Sequence, residues 1–472
     1  MTGLIWTLDD MVAAMDATLE GPAPAGVTGI SIDSRTIGSE EAYFAIKGDV
    51  HDGHKFVAAA AGAGAALSVV SVDKRDELAG ETGTLLVVDD VLRAMERLGI
   101  AARARMAGRV IAVTGSVGKT TTKEALRTAL APSGNVHAAA ASFNNHWGVP
   151  LTLARMPADT DFGVFEIGMN HPGEITPLVK MVRPHVAIIT NVAAVHLGAF
   201  NDVDEIALAK SEIFSGLEAD GVAVLNADDP RLGIMCQEAD KAGVTRVVTF
   251  GESKGANAHM DKLIMHGSCS CLTASILGEA MAVKVGAPGR HIVQNLLAVL
   301  AACQLAGADL ARAGLAMADL EAVKGRGQQH KLALPKGSFR LIDESYNANP
   351  TSMSAALALL GASRLRDGGR RIAVLGDMLE LGPTSADLHG GMASAVHEHN
   401  IDRIYLAGPE MKALADKLGS TNACIHALTI DDLIGPIRDD LRDGDILMAK
   451  ASLGMGFARL IDDLLRTHPR AA

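Results

Sequence analysis

From residue 108 to about 325, short unbroken apolar runs alternate with amphipathic stretches. "RVIAVTG" (109–115), "FGVFEIG" (162–168), "HVAIITNV" (185–192), "GVAVLNAD" (221–228) and "TRVVTFG" (245–251) are separated by segments such as "KTTTKEALRTALA" and "VDEIALAKSEIFSGL". Strands that are apolar on both faces and separated by helices predict a mostly parallel sheet covered on both sides. Within this zone 255–285 reads as a β-rich addition. From about 326 the rhythm restarts with "FRLIDES", "RRIAVLGD", "DRIYLAG" and "DILMAKAS", again with helices between. Residues 26–107 instead mix short strand-like runs ("VTGISIDS", "AYFAI", "ALSVVSV", "TLLVVDD") with the helix-like "HKFVAAAAGAGA" and a long helical stretch over 91–107. The pattern predicts an α/β chain of three domains. A small α/β domain covers 1–107, a central parallel-sheet domain 108–325, and a Rossmann-like doubly wound domain 326–472.

The length of 472 residues agrees with several domains rather than one core. Only 3% of the residues are aromatic and the net charge is −12, which argues against a stacking platform for single strands and against broad phosphate-backbone binding. No nucleic-acid partner is expected, and any anionic ligand must be held by local donors. The segment "MTGLIWTLDDMVAAMD" has acids where a secretory signal needs bases, and no apolar run reaches the length of a membrane span. The five cysteines are scattered, and Cys269 and Cys271 form a lone C-x-C, so reduced thiols are expected rather than a metal site. A cytoplasmic protein with no membrane insertion, and a monomer, is the expectation.

Chemistry enters at "VTGSVGKTTTKE" (113–124), between an apolar strand and a helix. Gly115 and Gly118 let the backbone turn tightly, so that the N–H groups of Gly115, Ser116, Val117 and Gly118 can converge on one anion at a helix N-terminus. Lys119 supplies a point charge for terminal phosphates, and the Thr120 hydroxyl, beside Thr121, can hold Mg²⁺. A strict Walker A loop has glycine where this chain has Val113, so the turn begins later, at Gly115. No N-K-x-D guanine element is found, which weakens a GTPase reading, but the loop alone does not choose among ATPase, kinase and ligase. Downstream, Glu166 ends an apolar strand, where the ligand crevice of an open α/β sheet lies. A carboxylate there suits magnesium. His196 follows the next strand and opens on the same crevice. Lys210, in "IALAKSEIF", could pair with a phosphate or cover the helix surface, the surface reading being the default from spacing alone, and Glu174 reads as an exposed carboxylate.

In order, "TGSVGKTTTKE", "FNNHWGVPLTL", "EIGMNHPGEI", "TNVAAVHLGAF", "AKSEIF", "GRHIVQN" and "GRG" resemble the Mur ligase family of ATP-dependent amino-acid and peptide ligases. The resemblance covers nearly the whole chain. "ISIDSRTI" and "DGHKF" in the first zone, and "IDESYNANPTSM" and "LGDMLELG" in the third, point to a member whose substrates are UDP-N-acetylmuramoyl-tripeptide and D-alanyl-D-alanine.

The resemblance implies roles residue by residue. Gly115 to Thr121 would wrap the ATP phosphates, with Lys119 on the terminal one. Thr120, Glu166, His196 and a carbamylated Lys210 would hold magnesium, in two ions. Asn295 and Asp343 would address the adenosine, and Arg326 the phosphoryl group in transfer. Asp33, Ser34 and Arg35 of a uridine-nucleotide domain would hold the nucleotide-linked substrate. Asn144 and Asn145 would line its channel, and Tyr346, Asn347 and Asn349 would face the incoming dipeptide. The chain departs from the family at Ile292 (often Asn), Glu344 (commonly Asp), Ala451 (often Gly) and Leu453 (often Arg), and Lys450 is given no role. A ligase extending glutamate tails on folates is the alternative; it shares the phosphate loop but does not need the first hundred or so residues.

Overall fold

The computed structural model describes residues 3–48, 51–78, 83–194, 198–266, 269–419 and 423–471. Its central sheet has nine strands, in the spatial order Glu279–Val285, Ser270–Ile276, Ala258–Met265, Arg246–Gly251, Val222–Asn226, Val186–Ile189, Arg109–Thr114, Phe162–Glu166, Val136–Ala138. Neighbours from Val136–Ala138 to Ala258–Met265 run parallel, and only the last two pairings are antiparallel. The β-rich stretch is therefore a continuation of this sheet rather than a separate layer.

Alternate residues of one strand feed opposite cores, as the pleat requires. Val110 and Ala112 pack among the helices Val91–Arg105, Gly148–Ala154 and Ile175–Val182. Ile111 and Val113 pack under Lys119–Leu130 and Arg290–Leu305. The chain leaves Arg109–Thr114 toward the Val136–Ala138 edge, but leaves Val186–Ile189 toward Val222–Asn226 on the other side. That divergence opens a crevice at the carboxyl ends of these two neighbouring strands.

The first domain has a five-stranded sheet (Thr18–Glu20, Leu85–Val88, Leu67–Ser71, Glu41–Phe44, Gly29–Ser31 in spatial order) and a ribbon pairing Trp6–Thr7 with Gly26–Val27. "VTGISIDS" is thus divided between two sheets. One apolar cluster runs from Trp6, Met11 and Leu98 into Val149, Leu153 and Phe165 of the central domain. At Gly99 the helices approach closely, since a Cβ there would sit 3.1 Å from the Leu153 Cβ. Trp6 Nε1 donates to the Ala154 carbonyl at 2.7 Å, and the Arg105 guanidinium lies 3.4 Å from the centre of the Trp6 ring. The first domain is packed onto the central one, not tethered by a linker.

The third sheet has the order Gln328–Ala333, Ser338–Glu344, Ile446–Lys450, Arg371–Gly376, Arg403–Ala407, Cys424–Ala427. Its first pair is antiparallel and the rest are parallel. The edge strand Gln328–Ala333 escapes the apolar-run pattern because its first four residues are polar; burial alternates over His330, Lys331 and Leu332, as at a half-covered antiparallel edge. Among the described residues no helix is long and apolar enough to cross a membrane, and the five cysteines are free.

Candidate active site

The strand Arg109–Thr114 ends at the phosphate loop, and the helix Lys119–Leu130 begins directly after Gly118. Both glycines have backbone angles that side chains resist, with φ of +147° at Gly115 and +87° at Gly118. There is also no space for a Cβ. At Gly115 it would lie 1.9 Å from the Thr190 hydroxyl, and at Gly118 2.3 Å from the Asn295 amide nitrogen. The next strand supplies the loop's brace. Ser116 N donates to the Asn191 carbonyl at 3.0 Å and Val117 N to the Asn191 side chain at 2.9 Å, so these two N–H groups, expected to face an anion, are committed to the brace, while the Thr190 hydroxyl donates to the Val117 carbonyl at 2.6 Å. Gly115→Ala is accordingly expected to weaken ADP binding about 5- to 150-fold, through strain of roughly 1–3 kcal/mol. Titration calorimetry against wild type checks it, and an unchanged affinity would mean the loop tolerates displacement.

A cavity of ≈ 300 Å³ lies over this loop, between the central and third domains. Ser116, Val117, Gly118, Lys119, Thr120 and Thr121 form its floor, and Asn144 and Glu166 one side. Arg326, Tyr346, Asn347 and Asn349 come from the third domain and its approach. Arg326 stacks 4.2 Å from the centre of the Tyr346 ring.

Glu166 is buried, and one of its oxygens accepts from the Asn144 amide at 2.7 Å. The other, Oε2, is buried and has no hydrogen-bond partner among the described residues. A carboxylate oxygen left bare in a cavity calls for a cation or a donor from a ligand. Thr120, also buried, has its hydroxyl 3.0 Å from that of Ser142. Among the described residues no group of three His, Cys, Asp or Glu side chains is gathered for a metal. Such sparse donors match magnesium, which keeps water and phosphate oxygens among its ligands, better than zinc. The residues present fit a magnesium nucleotide.

Two lysines lie beneath. Lys119 Nζ donates to the Gly115 carbonyl at 2.8 Å. Burial lowers its pKa, Glu166 opposes that shift and Arg326 adds to it, so all three charges share one field. Lys210 is buried, contrary to the surface reading that its helical spacing suggests. Burial first, and then the like charge of Lys119, hold its amine well below the ordinary lysine range. Lys119, Glu166 and Arg326, far apart in sequence, thus line one cavity; Lys210 is buried outside its lining, near enough to Lys119 for their like charges to interact, and His196 lies outside the described residues.

Other expected residues sit elsewhere. Asn295 is beside Gly118 without lining the cavity, and the Asn145 side chain accepts from Gly148 N at the start of a helix (2.9 Å). Asp343 does not reach the cavity. It is buried, and its two oxygens accept from Gly325 N at 3.0 Å and from the Ser345 backbone and hydroxyl at 3.1 and 2.6 Å, so it fixes the turn that carries Arg326. Its neighbour Glu344 faces the cavity instead. Asp33 and Arg35 form an ion pair on a turn of the first domain, away from the cavity, where the Arg35 hydrogen bond lowers the Asp33 pKa to about 2.

Lys450, left without a role by the sequence reading, lines the cavity: it is buried at the end of its strand and donates to the Asn347 carbonyl (2.9 Å) and Glu344 (3.3 Å). Its place at the carboxyl end of an apolar run was the available signal. Ser142, in an irregular segment, offered none.

Similarity to known proteins agrees with this geometry. Three family models match: "Mur ligase family, catalytic domain" over residues 26–104, "Mur ligase middle domain" over 113–303, and "Mur ligase, glutamate ligase domain" over 325–453. The UDP-N-acetylmuramoyl-tripeptide–D-alanyl-D-alanine ligase of Bacillus subtilis is 31% identical over 98% of this chain and 98% of its own length. That of Escherichia coli is 33% identical over 88% of each. The crystal structure of MurF from Acinetobacter baumannii superimposes with a TM-score of 0.83 at 29% identity, over 98% of this chain and 99% of that one. With the phosphate loop, the bare carboxylate and the third-domain wall in one cavity, and this likeness running nearly end to end, the chain belongs to the Mur ligase family.

Proposed function

We propose that this chain is an ATP-dependent, ADP-forming ligase that joins D-alanyl-D-alanine to the peptide carboxylate of UDP-N-acetylmuramoyl-tripeptide. It would thereby complete the pentapeptide precursor of peptidoglycan in the cytoplasm, acting as a monomer. The observation that carries this reading is the cavity itself, where a phosphate loop and an unpartnered Glu166 oxygen face the Tyr346–Asn349 segment of another domain.

A carboxylate does not condense with an amine at neutral pH, because oxide is too poor a leaving group. In the proposed reaction the carboxylate oxygen attacks the γ-phosphorus of ATP, the bond to the β–γ bridging oxygen breaks, and ADP departs. The dipeptide's amine, having lost its ammonium proton, then adds to the carbonyl carbon of the acyl phosphate. Collapse of the tetrahedral adduct expels inorganic phosphate and leaves the amide. The protein's share is positioning and charge neutralisation. Lys119 and Arg326 offset charge on the phosphoryl group in transfer, and the backbone of Gly115–Thr121 orients it.

Thr120, Glu166, His196 and Lys210 are the residues to hold magnesium, in two ions; when bound, it offsets the repulsion between phosphate and substrate carboxylate. Lys210 suits that role as a carbamate, formed when its neutral amine adds CO₂ and releases a proton. The low pKa imposed by burial and Lys119 favours the neutral amine that this addition requires.

Domain roles follow the same reading. Residues 1–107 hold the uridine nucleotide through Asp33, Ser34 and Arg35, 108–325 hold ATP with Asn295 toward its adenosine end, and 326–472 present the dipeptide to Tyr346, Asn347 and Asn349, with Asp343 fixing the turn that brings Arg326 to the phosphates. Asn144 and Asn145 border the channel between. An extended substrate, with its uridine far from its reacting carboxylate, accounts for a nucleotide site remote from the cavity.

The test is to supply ATP, magnesium and the muramoyl-tripeptide nucleotide with either D-alanyl-D-alanine or glutamate, and to weigh the product. The pentapeptide nucleotide is expected with the dipeptide alone. Phosphate release without a new amide, or extension by glutamate, would overturn the assignment.

A further inference from the structure

Lys123 has no part in the chemistry above, yet it is fully buried in the central domain. A cation in that position is costly unless each of its donors is met. Here they are: its ammonium donates to the carbonyls of Ala139 at 2.5 Å and Ala141 at 3.2 Å, and the Glu124 carboxylate lies 2.8 Å away. Both carbonyls belong to residues 139–145, a segment without helix or strand that follows Val136–Ala138 and folds back over the phosphate-loop helix.

That segment carries two contacts into the cavity. Ser142 meets the Thr120 hydroxyl, and Asn144 donates to Glu166 while its own carbonyl accepts from Gly168 N at 2.8 Å. Thr120 and Lys123 are three residues apart, on one face of the same helix. One turn therefore presents Thr120 to the nucleotide site and clamps the loop that buttresses it. No sheet ladder holds residues 139–145, so the Lys123 carbonyl bonds are its main tie to the helix.

We propose that Lys123 is a positioning residue for the magnesium-nucleotide site. It fixes residues 139–145 so that Asn144 orients the Glu166 carboxylate and Ser142 orients Thr120. The inference rests on the proposed function for its link to turnover, but its test is a binding measurement.

ADP affinity is measured with magnesium and with chelator for wild type, Lys123→Met, Asn144→Ala and the double variant, with affinity for the uridine-nucleotide substrate as a control of folding. Of the two single variants, Lys123→Met, which lies outside the cavity wall, is expected to bind metal-free ADP and the uridine nucleotide within about twofold of wild type. Each should lose about 10–100-fold of the affinity gained from magnesium, the range found when a partner of a metal ligand is removed. The double variant should be no worse than Lys123→Met, because the Asn144 contact with Glu166 lies downstream of the Lys123 clamp. Retention of the magnesium gain in Lys123→Met, or additive losses in the double variant, would overturn the proposal. Should Lys123→Met fail to fold, Asn144→Ala still decides: a full magnesium gain there shows the clamped loop has no hold on the site. A wild-type chain that binds magnesium-ADP but forms no amide would refute the ligase assignment alone.

Discussion

Lys119→Ala is expected to lower ATP-dependent amide formation at least about 100-fold, the scale set by deleting one preorganised donor to transition-state charge. Affinity for the uridine-nucleotide substrate should stay within about twofold, since Asp33, Ser34 and Arg35 lie away from the cavity. The loop should survive the change. Its shape is set by Thr190 and Asn191, which bond Ser116 and Val117 directly, and the Lys119 bond to the Gly115 carbonyl is an addition to that brace. The loss is then one of charge and not of architecture. Product analysis by mass and a parallel substrate titration check it. Turnover near the wild-type rate would make the loop structural and end the phosphoryl-transfer reading.

The second large effect is expected at Glu166. Glu166→Gln keeps the size of the side chain but removes the charge and sets an amide where Oε2 stands bare. The Asn144 amide can still find an oxygen on the new side chain if the amide is suitably turned, so the fold should hold. Turnover is expected to fall at least about 100-fold, and the gain in ADP affinity from magnesium should be largely lost. ADP binding without metal should be nearly unchanged. A variant that kept both turnover and the magnesium gain would show that this carboxylate holds no metal.

Both effects converge on a site that was only partly legible in the chain. The loop Gly115–Thr121 could be read because its pieces are contiguous: strand, glycines, lysine and hydroxyl follow one another, and local geometry needs little else. Glu166 was legible for a related reason, since the end of a buried strand is a fixed place in an open α/β sheet. Lys210 was not. Helical spacing gave it an exposed face, and its burial follows from packing against other parts of the chain. Asp343 and Glu344 show the limit of resolution along a strand. Successive side chains point to opposite faces, so moving one residue exchanges a buried brace for a wall of the cavity.

The sequence by itself determined the local elements: the alternating strands and helices, the phosphate loop, and the ordered blocks that carry the family resemblance. These depend on periodicity and on residues close together in the chain. Tertiary structure alone decided that the first domain shares a core with the centre through Trp6 and Leu153, and that Gln328–Ala333 closes the third sheet. It alone set a buried Lys123 under the loop that steadies Glu166. Those outcomes depend on which distant surfaces bury each other and which buried polar groups then need partners, and such pairings leave no mark in local sequence pattern.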